Sequence, residues 1–300
     1  MHLHVPRPSQ RGGAPRARPR PRPTLVAVHA HPDDECLPTG GVLARYGAAG
    51  VRTVLITCTG GEVGEIADPA LATPENLGEV RARELAESVR ILGIDRAVQL
   101  GYRDSGMAGT ADNDNPASFL HADLEEATRR VVAILREERA DVVVTYDEQG
   151  GYGHPDHIRA HQVAVAAFHA AGDPTRYPEA GPAWAPRKLY YAILTRSTLR
   201  RFGAALRAAG VEVPFQPDEN PGMGVDDDRL TTIVDVAAYA ETKRQALLAH
   251  RTQLGSMGFF VNLPAELYGR LASHETFQRI EPPADGGFGL KLEDDLLTGL

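Results

Sequence analysis

A succession of short apolar runs, alternating with segments of helical periodicity, constrains the fold of this 300-residue chain more than any other feature. The runs are Leu25–His29, Arg52–Cys58, Ala97–Leu100, Asp141–Tyr146 and Lys188–Leu194. Their centres, such as Val54-Leu55-Ile56, lack the polar alternation of a half-solvated strand and read as strands covered on both faces. Between them, Gly40–Gly50 reads as a small-residue helix stopped by glycine. Glu75–Leu92 carries Leu77, Val80, Leu85, Val89 and Leu92 at helical spacing, with Gly93 as its stop. Leu120–Arg139 places Leu124, Ala127, Val131, Ile134 and Leu135 on one side, and Asp156–Ala170 is a further helix. Strand, helix, strand at this spacing predicts an α/β fold, with a mostly parallel sheet and helices on both faces. The last third is less regular: Phe215–Asp228 reads as a loop, Leu230–Val236 as a strand and Ala237–His250 as a helix.

Two polar clusters follow strands directly. His31-Pro32-Asp33-Asp34-Glu35 comes after the first, and Tyr152-Gly153-His154-Pro155-Asp156-His157 comes after the fourth. In a parallel sheet both emerge beyond the carboxyl edge, where such folds bind ligands. Three consecutive acids at a strand end repel one another unless a cation or another partner intervenes, and imidazole with carboxylate suits Zn2+. His31 offers a ring nitrogen. Asp34 serves as the carboxylate ligand and Asp33 as a base that takes a proton from water, although the residues alone leave those two assignments exchangeable. His154 and His157 are three apart at a helix start that Pro155 favours, and His161 is a rival ligand by helical spacing. Asp156 is placed to orient a neighbouring imidazole. His121, His169, His250 and His274 are read as structural histidines, Cys36 as packing beside the site, and Asp226-Asp227-Asp228 as a solvated acidic loop.

Composition bounds the setting. Two cysteines cannot make a disulfide framework, and no apolar run reaches membrane-spanning length, so a cytoplasmic protein without a membrane partner is expected. The net charge of −8 conceals a basic segment, residues 1–23, with six arginines, six prolines and no acid. This segment is expected to be disordered, ahead of a single domain over 24–300 with its core in 24–194 and a C-terminal elaboration in 195–300. An acidic body without interleaved aromatic anchors argues against a nucleic-acid partner. Acids rather than a glycine-rich turn after the first strand argue against a nucleotide-binding module.

The run His31-Pro32-Asp33-Asp34-Glu35, followed by His154-Pro155-Asp156-His157, resembles the LmbE/PIG-L superfamily of zinc-dependent N-deacetylases. Arg103-Asp104-Ser105-Gly106-Met107-Ala108-Gly109 and Gly151-Tyr152-Gly153-His154 are most similar to its mycothiol-pathway deacetylase branch. The S-conjugate amidase branch is second, through Tyr146–Tyr152 and Lys188-Leu189-Tyr190-Tyr191. The likeness runs from about Leu25 to Leu194, with a weaker echo at Ala249-His250-Arg251-Thr252-Gln253.

The resemblance implies a Rossmann-like sheet and a hydrolase that removes the N-acetyl group from an N-acetylglucosaminyl compound. It implies zinc ligands His31, Asp34 and His157, with Fe2+ as an alternative ion in the cell. By the same likeness Asp33 is the general base. His154, oriented by Asp156, is the catalytic histidine, and Tyr152 is a flexible oxyanion contact. Arg81, Asp104 and Glu65 match substrate contacts. The partner expected is a small amino-sugar molecule, and a homo-oligomer is compatible with the pattern. Where the amidase branch carries a lysine after its acidic run, this chain reads Cys36-Leu37-Pro38-Thr39, which weakens that alternative.

Overall fold

Seven strands form one sheet in the order β3-β2-β1-β4-β5-β7-β6. They belong to a computed structural model that describes residues 22–211, 223–255, 260, 262–283 and 292–300. The strands are β1 (Thr24–His29), β2 (Arg52–Thr59), β3 (Arg96–Tyr102), β4 (Val142–Tyr146), β5 (Lys188–Ala192), β6 (Thr232–Asp235) and β7 (His274–Glu281). β1 to β5 pair in parallel, whereas β7 runs antiparallel to β5 and β6 antiparallel to β7. The α/β expectation with a mostly parallel sheet is therefore met.

The helices are α1 (Gly40–Ala48), α2 (Leu77–Leu92), α3 (Leu124–Glu138), α4 (Pro155–Ala171), α5 (Arg196–Ala208), α6 (Ala240–Ala249) and α7 (Ala265–Leu271). Along β1 every side chain is buried, and successive residues serve opposite faces. Val26 and Val28 join a core with Val131, Leu135, Val163 and Ala167 of α3 and α4. Leu25 and Ala27 join a second core with Val42, Leu43, Leu85 and Leu247 of α1, α2 and α6. Each fully buried aliphatic side chain here contributes about 1.5–3 kcal/mol relative to exposure.

A capping residue explains one place where the observed helices are shorter than their apolar periodicity suggested. Asp123 accepts a hydrogen bond from the Glu126 N–H (2.9 Å), so α3 starts at Leu124, and Phe119–His121 forms a separate short turn. Asn76 occupies the N-cap position of α2, which starts at Leu77 rather than Glu75, and its side chain turns back to accept from the Thr73 N–H (2.8 Å) without capping the helix. The observed helix after β6 begins at Ala240, preceded by a short turn over Ala237–Tyr239.

Residues 1–21 of the proposed tail and part of the Phe215–Asp228 loop lie outside the described residues. Arg22, placed in the tail by composition, is pinned to the body by hydrogen bonds to the Val51 carbonyl (2.9 Å) and Asp95 (3.2 Å). Neither α5 nor β7 was read from the sequence. β7 carries Glu275, whose carboxylate accepts from the Gly41 and Val42 N–H groups at the start of α1 (2.7 and 2.8 Å). No described helix is long and apolar enough to cross a membrane.

The chain runs outward from β1 to β3 and then returns to place β4 on the other side of β1. The loops after β1 and β4 consequently diverge at a topological switch point and open a crevice between them.

Candidate active site

Both acid- and histidine-bearing loops rise at that crevice, and the strand ends hold them rigidly. The Thr59 N–H and hydroxyl donate to the Ala30 carbonyl (2.8 and 3.1 Å), and the Ala30 N–H donates to the Tyr146 hydroxyl (2.9 Å). Pro32 leads into Asp33, which adopts a left-handed backbone with φ 115°. Few non-glycine residues accept that conformation unless their surroundings impose it.

Three side chains meet below this turn. His31 Nδ1 lies 3.3 Å from His157 Nε2, and the Asp34 carboxylate lies 3.4 Å from the first and 3.3 Å from the second. Ligand atoms about 2.0–2.1 Å from a four-coordinate ion are separated by roughly 3.3–3.4 Å, so these separations fit a zinc-sized ion. The outer nitrogens are committed elsewhere. His157 Nδ1 meets the Gly150 carbonyl at 3.1 Å, and His31 Nε2 meets Asp156 Oδ2 at 3.2 Å. Each inward nitrogen is thereby left with its lone pair towards the cluster, the arrangement common around bound metals. Tyr146 stacks on the His157 ring at 4.2 Å between centroids. Burial opposes charge on His31, yet Asp104, Asp156 and Asp34 hold its pKa well above the usual value.

Asp33 stands apart from that trio, and the exchangeable pair of acids is sorted by geometry. Its carboxylate accepts from Arg81 Nη2 at 3.0 Å. Burial pushes the Asp33 pKa up to about 6, with Arg81 pulling it down and Asp34 pushing it up. Arg81, matched above to a substrate contact, is drawn into the site. It is 3% exposed, and its guanidinium also donates to the Gly61 and Pro32 carbonyls (2.9 and 2.5 Å).

His154 caps α4, with Nδ1 accepting the Asp156 N–H at 3.1 Å. A neutral ring then carries its proton on Nε2. Burial, His31 and His157 lower the His154 pKa to about 3, which keeps the ring neutral. Asp156 therefore meets His154 only through its backbone. Its fully buried carboxylate serves His31 and accepts from the Ser105 N–H (2.8 Å) and hydroxyl, which corrects the expected pairing. Tyr152 is 48% exposed at the rim, its ring edge-on to His157 at 4.9 Å between centroids.

Asp104 is buried, 3.6 Å from His31 Nε2, and accepts from the Gly106 N–H (2.8 Å). Burial opposes its ionisation, but His31 and that N–H hold its pKa well below the usual carboxylate range. Glu65 lies on an exposed loop, its carbonyl accepting from Gln253 Nε2 (2.9 Å). His161, the rival ligand, instead faces the Tyr146 carbonyl (3.0 Å) and the Tyr191 ring. Asp226 pairs with Arg196 (3.2 Å), in keeping with an acidic loop. Cys36 is buried beside the site.

Sequence reasoning missed Ser105, Gly150, Ser88 and His250. His250 was read as structural, yet its Nε2 lies 2.8 Å from Glu35 Oε1. Its signal was present in Ala249–Gln253, the one echo of the resemblance beyond Leu194.

Residues 26–168 match the model of the family described as PIG-L, GlcNAc-PI de-N-acetylase. The chain is similar to the 1D-myo-inositol 2-acetamido-2-deoxy-alpha-D-glucopyranoside deacetylase 1 of Catenulispora acidiphila. The two are 42% identical over 302 residues, spanning 96% of this chain and 93% of the relative. The deacetylase of the same designation from Geodermatophilus obscurus is 43% identical, spanning 92% and 97% of the two chains. Among solved structures, the N,N'-diacetylchitobiose deacetylase of Pyrococcus horikoshii shares the fold. Its TM-score is 0.60 at 21% identity, covering 86% of this chain and 84% of that one.

Proposed function

The chain belongs to the PIG-L family of de-N-acetylases, and on that premise we propose that its substrate is 1D-myo-inositol 2-acetamido-2-deoxy-α-D-glucopyranoside. N-deacetylation is its activity: water cleaves an amide into acetate and a free amine. The observation that carries the site assignment is the convergence of His31 Nδ1, His157 Nε2 and the Asp34 carboxylate beside Asp33.

In this reading those three residues hold Zn2+, with Fe2+ as the cellular alternative. The ion would supply a Lewis acid that polarises the amide carbonyl and lowers the pKa of water. Asp33 Oδ accepts the proton that water loses as its oxygen attacks the carbonyl carbon. The His154 Nε2–H and the Tyr152 hydroxyl donate to the carbonyl oxygen as negative charge develops there, the stage at which preorganised donors contribute most. A neutral His154 suits a hydrogen-bond donor better than a proton source. Asp33 therefore returns the proton to the departing nitrogen as the C–N bond breaks.

Arg81 holds Asp33 in place while Asp33 cycles between its two forms. Asp104 and Glu65 are the sugar contacts in this reading, since carboxylates accept from hydroxyls. Asp156 fixes the His31 ring through Nε2. Two buried free thiols suit a reducing cytoplasm.

The test is release of a free amine from 1D-myo-inositol 2-acetamido-2-deoxy-α-D-glucopyranoside by the purified full chain. N,N'-diacetylchitobiose and a mycothiol-type S-conjugate would be assayed beside it, each with and without chelator. Release from the inositol glycoside that stops with chelator and returns with Zn2+ is expected. Turnover of another of the three substrates in its place would overturn the substrate assignment, and chelator-insensitive turnover would overturn the metal assignment.

A further inference from the structure

Three consecutive acids sit at the end of β1, and each has a different counterpart. Asp34 faces His31 and His157, and Asp33 faces Arg81. Glu35 is completely buried and takes no part in either arrangement. Its Oε2 accepts the Asp33 N–H at 3.0 Å, and its Oε1 accepts from Ser88 Oγ (2.5 Å) and Cys36 Sγ (3.3 Å) and meets His250 Nε2 (2.8 Å).

We propose that His250 is a positioning residue for the base, acting through Glu35, so that the C-terminal part of the chain sets the geometry of Asp33. The inference rests on the reading of Asp33 as the base. His250 is also completely buried, and its Nδ1 has no hydrogen-bond partner among the described residues, so its polar interaction is spent on Glu35. A buried carboxylate holds its orientation only while its donors are in place. With Oε1 engaged by His250 and Ser88, Oε2 is turned to the Asp33 N–H. That bond holds a non-glycine residue at φ 115°, the conformation that aims the Asp33 side chain at Arg81 and away from Asp34.

The neighbours of His250 grip the same helix that supplies the other partners. The Thr252 N–H and hydroxyl donate to Glu84 (2.9 and 2.6 Å). Arg81, Glu84 and Ser88 lie three and four residues apart, on one face of α2. The segment 250–253 therefore braces the face of α2 that carries both the Asp33 partner and a Glu35 donor.

The test compares His250→Leu, which removes the donor, with His250→Gln, whose amide N–H can still reach Glu35. Kinetics, bound metal and hydrogen exchange at the Asp33 amide would be measured on the full chain. For His250→Leu we expect kcat reduced at least tenfold, KM within about twofold and metal content unchanged. Faster exchange of the Asp33 amide should accompany these changes, and His250→Gln should restore most of kcat and of the protection. Should His250→Leu fail to fold, Glu35→Gln carries the same expectation, because its amide turns a donor towards groups that are themselves donors. Unchanged kcat, or Asp33 amide exchange at the wild-type rate in the folded variant, would overturn the proposal. Equal impairment of both His250 variants would also overturn it, by reducing His250 to packing. Full activity of Asp33→Asn would instead overturn the base reading and leave the exchange result standing.

Discussion

Gly150 offers a separation of strain from contact at His157, a metal ligand in the proposed reading. Its carbonyl lies 3.1 Å from His157 Nδ1, and its φ is +65°. A Cβ at this position would lie 2.6 Å from His157 Cβ and 2.8 Å from the Ile158 backbone nitrogen. Neither atom can swing aside, so Gly150→Ala must move its own carbonyl off the His157 ring. Gly151 is the control. It has φ +77°, and nothing lies within 4 Å of an added Cβ, so Gly151→Ala carries the left-handed strain of about 1–2 kcal/mol without the contact. Loss of an outer hydrogen bond to a ligating histidine typically weakens metal binding about 10–100-fold. That corresponds to about 1.4–2.8 kcal/mol. Competition against a chromophoric chelator measures it directly. We expect Gly150→Ala to bind Zn2+ at least tenfold more weakly and Gly151→Ala to bind within threefold of wild type. Equal affinities in the two variants would refute the reasoning, because strain alone would then account for both.

Other expectations follow from buried polar groups. Lys243 pairs with Glu275 at 2.7 Å with both side chains nearly inaccessible, so Lys243→Met should cost about 3–5 kcal/mol in urea unfolding. A loss below about 1 kcal/mol would show that the α1 amides alone satisfy Glu275. Arg136 donates to the carbonyls of Ala171, Tyr177, Asp173 and Arg176 (3.0, 2.7, 2.8 and 2.8 Å). Arg136→Met should therefore destabilise the protein by about 2–4 kcal/mol and speed hydrogen exchange over residues 170–181. Burial alone would raise the Glu35 pKa, but His250, Ser88 and the Asp33 N–H outweigh it and hold the group at about 2. A lowered folded pKa gives stability that is complete above about 4.5 and lost as pH falls from there to about 2, on the order of 3 kcal/mol. His250 is shifted the other way, upward from 6.5 despite its burial, through Glu35 and Asp33. Its contribution is complete below 6.5 and lost as pH rises through the raised value. Urea midpoints of wild type should fall more steeply than those of Glu35→Gln between pH 4.5 and 2; parallel curves would contradict the assignment.

The parallel core and the two polar loops were readable because their signals are local. An uninterrupted apolar run such as Val54-Leu55-Ile56 marks a doubly covered strand, and the His-Pro-Asp-Asp-Glu run has no low-energy use at a strand end without counter-charges. What escaped depends on contacts across long stretches of chain. Arg81 on a polar helix suggests a surface donor, and only the fold reveals that its Nη1 and Nη2 are turned inward to Gly61, Pro32 and Asp33. Asp156 sits two residues from His154 in sequence, yet its carboxylate turns to His31, 125 residues away. His250 looks like any buried histidine until the fold sets it against Glu35. β7 escaped because His274–Glu281 mixes polar and apolar residues, and its strand is fixed by pairing with β5 and β6.

The central claim is that His31, Asp34 and His157 hold the metal while Asp33 moves the proton. It is tested most directly by measuring turnover and bound Zn2+ on the same sample of Asp33→Asn. The expected result is one Zn2+ per chain, as in wild type, with deacetylation reduced about 10²–10⁴-fold. Wild-type turnover by the metal-loaded variant would contradict the claim, and so would loss of the metal together with activity.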